Sequence, residues 1–168
     1  MAKNDENAVN CAINAILEET NKMFEKGKSE MEQNLKRLTE QTKIQIDNIV
    51  QELDRNCQEI KKHEKDAKTE INKMVKAYTE TLKNAENDAT KTLNESWGIA
   101  RNAMEKTFDA VKGQLGNRAT DLESSLKQLI KYSEKIISDC IKMLHGFVNN
   151  AEKQIKTIAD QHIKSIKN

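Results

Sequence analysis

Residues 38–60 read LTEQTKIQIDNIVQELDRNCQEI, and the spacing of their apolar side chains decides the fold. Leu38, Ile49 and Ile60 stand eleven residues apart. Thr42 and Leu53 follow the first two of them by four, and Ile46 and Cys57 precede the last two by three. Steps of three, four and eleven all return to one side of a 3.6-residue helix; a half-buried strand would alternate every second residue. Extended in both directions, the first column becomes Ile16, Gly27, Leu38, Ile49, Ile60, Ile71, Leu82, Leu93, Met104, Leu115, Leu126, Ile137, Val148 and Ala159, apolar at thirteen of fourteen positions. The second is Thr20, Met31, Thr42, Leu53, Glu64, Val75, Glu86, Trp97, Phe108, Ala119, Ile130, Ile141, Glu152 and Ile163, interrupted by three glutamates. A third column begins Ile13, Phe24, Leu35, Ile46, Cys57 and resumes at Ala67 and Tyr78, so the stripe slips by one residue between Cys57 and Ala67. An eleven-residue period is about 3.67 residues per turn, close to a straight helix with a slight right-handed wrap.

The rest of the composition agrees with an all-α fold of long amphipathic helices, either an elongated bundle or a helical hairpin or coiled coil. The 168 residues contain no proline and only five glycines, and aromatics make up 4%. Sheet folds are disfavoured by so little turn chemistry. Hydrophobic residues are 36% of the chain, below the roughly 45–50% of a typical globular domain, so the apolar layer is thin. A narrow stripe does not stabilise a lone helix; it must be laid on other helices, another chain or a lipid surface. One helical domain over residues 1–168 is expected, broken where the stripe fails. Gly113, Gly116 and Asn117 supply left-handed turn chemistry at 113–117, and Asn117 or Thr120 could cap the next helix. Residues 61–66, KKHEKD, have no apolar member and coincide with the phase slip, which predicts a bend there.

Charge restricts the function classes. With 28 basic and 27 acidic residues the net charge is +1, so a nucleic-acid partner, which needs a basic surplus, is not expected. No run approaches 18 uncharged apolar residues, so no transmembrane segment is expected. Met1 is followed by polar residues rather than an apolar leader core, which predicts a cytoplasmic protein as written, or a secreted, plasma- or haemolymph-like one if Met1 heads a mature chain. Cys11, Cys57 and Cys140 are odd in number and widely spaced, which reads as reduced thiols. Asn94-Glu95-Ser96 is a glycosylation triplet, mildly favouring secretion.

Chemistry is sparse. His63, His145 and His162 fall in no metal-binding spacing, and no C-x-x-C, phosphate loop or nucleophile elbow exists. No catalytic, metal or cofactor site is therefore expected, and the chain reads as a non-enzyme. The charge is uneven, however. Residues 1–60 carry 8 basic and 12 acidic groups, whereas residues 113–168 carry 9 and 6. The most apolar face lies in the last third: Leu126, Leu129, Ile130, Ile137, Ile141, Leu144, Phe147, Val148, Ile155 and Ile163. Lys127, Lys131, Lys135, Lys142, Lys153, Lys156, Lys164 and Lys167 flank it, as suits a helix in a membrane interface whose lysine stems snorkel outward. Trp97 fits its column as a packed residue or, alternatively, an interfacial anchor.

These columns, the helical composition and the lysine-flanked faces resemble the exchangeable apolipoproteins, insect apolipophorin III among them, and the eleven-residue repeats of perilipin-like droplet coats. The resemblance is one of pattern over nearly the whole chain. It implies a loosely packed bundle that opens and spreads its helices on lipid, with the column residues facing the lipid. It departs from the family in the absence of proline between repeats and of a leader. The competing expectation is a structural coiled coil whose stripe meets other chains in rods or filaments; on either reading Ile16, Leu38, Ile49, Ile60, Ile71, Leu82, Leu93, Trp97, Met104, Phe108 and Leu115 form the core of the repeat. A desiccation-type helical protein is a third possibility, disfavoured by Ile, Met and Cys in the columns.

Overall fold

The structure is a computed structural model and describes residues 2–166. Three long helices carry almost all of them: α1 (Ala2–Glu59), α2 (Ala67–Leu115) and α3 (Ala119–Lys164), with a single 3-10 turn, Gly116–Arg118, between the last two. There is no strand among the described residues. The fold is all-α.

Both interruptions have local causes. α1 stops at Glu59, and the chain leaves the helix until Ala67, a segment whose residues 61–66 offer no apolar side chain to hold another turn against a core. Cys57 and Ala67, the residues on either side of the phase slip, are both buried. The slip is thus the stripe starting afresh on a second helix. At the other interruption Gly116 takes φ +57, the left-handed conformation glycine adopts without a Cβ penalty. One expectation needs correction there. Neither Asn117 nor Thr120 begins a helix from an extended cap: Asn117 lies inside the 3-10 turn and Thr120 is already in the first turn of α3. Past the left-handed Gly116, Ala119 is already in right-handed helical conformation and its backbone N–H donates to the Gly116 carbonyl, so the chain enters α3 without an extended cap residue.

The chain forms two compact units. Unit 1 takes Met1–Leu35 and Asn94–Ser138; unit 2 takes Lys36–Leu93 and Asp139–Asn168. Each contains a length of all three helices, with α2 antiparallel to α1 and α3. In unit 1, Arg101 of α2 reaches Glu134 of α3, and Tyr132 of α3 faces Lys28 and Glu32 of α1. In unit 2, Tyr78 of α2 bonds Glu52 and Asn56 of α1, and His145 of α3 bonds Glu86 of α2.

The core of unit 1 is built from Phe24, Met31, Leu35, Trp97, Met104, Leu115, Leu122, Leu126, Leu129 and Ile137. That of unit 2 is built from Ile46, Ile49, Val50, Leu53, Ile71, Leu82, Val148 and Ile155, with Cys57, Ala85, Ala151 and Ala159 filling the closer approaches. Burying each large aliphatic side chain contributes about 1.5–3 kcal/mol.

Candidate functional site, the apolar face of α3

α3 is the most amphipathic of the three helices. Its apolar face is turned inward along the whole helix. Leu126, Leu129 and Ile137 are buried in unit 1, with Ile130 half-buried at the edge. Leu144, Val148 and Ile155 are buried in unit 2, with Ile141, Phe147 and Ile163 half-buried. Two residues on this face are small and polar or nearly so. Ser133 is wholly buried, and its hydroxyl donates to the carbonyl of Leu129 at 2.8 Å, one turn back on its own helix. Cys140 is buried as a small apolar group.

The opposite face is cationic. Lys127, Lys131, Lys135, Lys142, Lys153, Lys156 and Lys164 are all exposed. Lys127 pairs with Glu123, four residues before it; the other six form no ion pair among the described residues. Lys167 lies outside the described residues.

The remaining column residues also face inward. Ile49, Ile71, Leu82, Leu93, Trp97, Met104 and Leu115 are buried, while Ile16, Leu38, Ile60 and Phe108 are half-buried. Glu64 is exposed in the segment between α1 and α2, Glu152 is half-buried, and Glu86 accepts from His145 at 2.8 Å.

The end of α3 is fastened by a polar clasp that residue spacing alone did not reveal. His162 Nδ1 is 2.7 Å from the Lys62 ammonium, and its Nε2 is 2.9 Å from an Asp54 carboxylate oxygen. Lysine has only donors, so Nδ1 accepts from it and Nε2 carries the proton given to Asp54. Lys62 also donates to the Ser165 hydroxyl at 2.6 Å, and Ser165 donates to the His162 carbonyl at 2.8 Å. The clasp ties α3 to α1 and to the segment that follows α1. Burial pushes the Cys57 thiol above its ordinary value; Asp54 adds to the effect and Lys62 opposes it. Burial likewise raises the Tyr78 phenol, with Glu52 contributing by hydrogen bond and charge.

Among the described residues there is no group of three or more metal-ligating side chains, and no helix is long and apolar enough to cross a membrane. Comparison with known protein families, with curated proteins and with solved structures finds no match to this chain.

Proposed function

We propose that this chain is a non-enzymatic lipid-surface protein, a carrier or coat, which opens its helices and lays their apolar faces on an anionic lipid surface, α3 leading. The observation that carries this reading is the pairing of a long apolar face on α3, interrupted by Ser133, with six exposed lysines that have no ion-pair partner among the described residues. The resemblance in pattern to exchangeable apolipoproteins points the same way. The coiled-coil alternative needs a free stripe for a second chain, and here no position of the first column is exposed. That favours a stripe satisfied within one chain until a surface draws it out.

Lysines make the cleaner test. Ile137 is buried and Ile141 half-buried, so glutamates there would break the closed bundle as well as any lipid contact. Lys131, Lys135 and Lys142 are exposed, and replacing all three by glutamine leaves the core intact. At about 1 kcal/mol per basic residue near an anionic surface, the triple variant should lose roughly 100-fold in affinity. The measurement is flotation with vesicles of mixed phosphatidylcholine and phosphatidylglycerol at low salt. A wild-type chain that stays in the soluble fraction, already helical and oligomeric, would reject the lipid reading in favour of the coiled coil.

A further inference from the structure

Unit 1 has an apolar groove on its surface between α1 and α2, about 280 Å³ in volume. Its lining is mostly small or apolar, Gly27, Phe24, Met31 and Ala103 among it, with Glu30 of α1 as its one charged member and Asn34, Ser96 and Thr107 as polar ones. Two large apolar side chains stand at its lips in water: Met23 is 53% exposed and Ile99 is 73% exposed. A surface groove between the same two helices in unit 2 is lined instead by Gln41, Gln45, Asp88 and Thr92 along with Leu38 and two alanines. The unit 1 groove is thus the more apolar of the two.

The charges on α2 beside the groove say what fits it. Six charged residues lie on α2 between Asn94 and Leu115. Arg101 pairs with Glu105 and Glu134, and Asp109 pairs with Lys112. Only Glu95 and Lys106 are left without an ion pair among the described residues, and both are exposed. They are opposite in sign, and their helical positions put them on the same face as Ile99, one on each side of it along the helix. Laid antiparallel on itself, this face brings Glu95 of each copy opposite Lys106 of the other and sets Ile99 opposite Asn102, beside the groove-lining Ala103. Laid parallel, it would oppose like charges. A knob, a hollow and complementary charges on one patch are what a twofold contact requires.

We propose that this face of unit 1 is a self-association site, occupied by α2 of a second copy of the chain in antiparallel register. It is separate from the lipid reading, because it uses the outside of the closed form and none of the α3 face.

Sedimentation velocity of the full chain without lipid, over a concentration series up to about 100 µM, tests it. The wild type should show a concentration-dependent dimer. Ile99→Glu should weaken it by at least about tenfold while leaving helicity and melting unchanged, since the side chain is already in water. Glu95→Lys should weaken the dimer, and Glu95→Lys combined with Lys106→Glu should restore it. A wild type that is monomeric throughout overturns the proposal, as does a dimer indifferent to Ile99→Glu or a charge-exchanged pair that fails to recover. If the wild type is monomeric and Ile99→Glu reduces vesicle flotation, the groove faces lipid and the self-association proposal is wrong.

Discussion

Removing the clasp at His162 should make the protein bind lipid better while making it less stable. In the closed form His162 contributes two hydrogen bonds, to Asp54 at 2.9 Å and to Lys62 at 2.7 Å. Its own side chain is 14% exposed but that of Asp54 is 42% exposed, so solvent already weakens the pair. At about 0.5–1.5 kcal/mol per bond, taken toward the low end, His162→Ala should destabilise unit 2 by about 1–2 kcal/mol. His162 is not one of the apolar residues proposed to meet lipid, so the substitution removes nothing from the inserting face. If binding requires α3 to leave the bundle, a closed state destabilised by that amount raises apparent affinity by roughly 5- to 30-fold. Urea unfolding followed by helicity gives the first quantity, and flotation with phosphatidylglycerol-containing vesicles gives the second. A variant that loses stability as expected yet binds vesicles no better, or binds worse, would refute the idea that opening precedes insertion.

Other substitutions probe the frame. Leu82→Ala, at a wholly buried position in the unit 2 core, should cost about 2–4 kcal/mol in urea unfolding. Gly146→Ala should stabilise by about 0.5–1 kcal/mol, because it lies inside α3 and its added Cβ meets open space; Gly116→Ala should destabilise by about 1 kcal/mol, since φ +57 suits no Cβ. The raised thiol of Cys57 predicts a pH effect on stability. The folded state keeps a proton that the unfolded state loses, so the contribution is whole below the ordinary value of 9.0 and is lost as pH rises past it toward the folded value. Cys57→Ala should flatten that alkaline decline in urea midpoints, and in the wild type a thiol reagent should label exposed Cys11 well before Cys57.

Much of the fold was legible because helical periodicity is a local property. Ile71, Leu82 and Leu93 are buried simply because eleven residues bring a side chain back to one face. KKHEKD, which has nothing to bury, lies in the segment between α1 and α2. What single-helix spacing cannot contain is register between helices. Asp54 and His162 are 108 residues apart, and nothing in either neighbourhood says that they meet. The same holds for the groove: Gly27 and Ala103 are unremarkable on their own helices, and a hollow exists only because α1 and α2 set them side by side. The inward orientation of the α3 residues was legible as a face, but whether that face met lipid or helices was not, because both partners offer the same apolar contact.

The two interhelical connections have a consequence for how the chain comes together and apart. In unit 2 the helices adjacent in sequence are α1 and α2, joined through the short segment after Glu59, and the distant member is α3. In unit 1 the neighbours are α2 and α3, joined through the 3-10 turn, and the distant member is α1. Hairpins of low sequence separation close quickly, whereas docking a remote helix must first overcome the entropy of closing a long loop. Each unit is therefore expected to nucleate on its own hairpin and to gain its third helix last. On partial unfolding the order reverses: the early part of α1 is the piece that unit 1 releases first, and the late part of α3 is the one that unit 2 releases first. Amide exchange should find these two segments less protected than the α2 stretches they pack against.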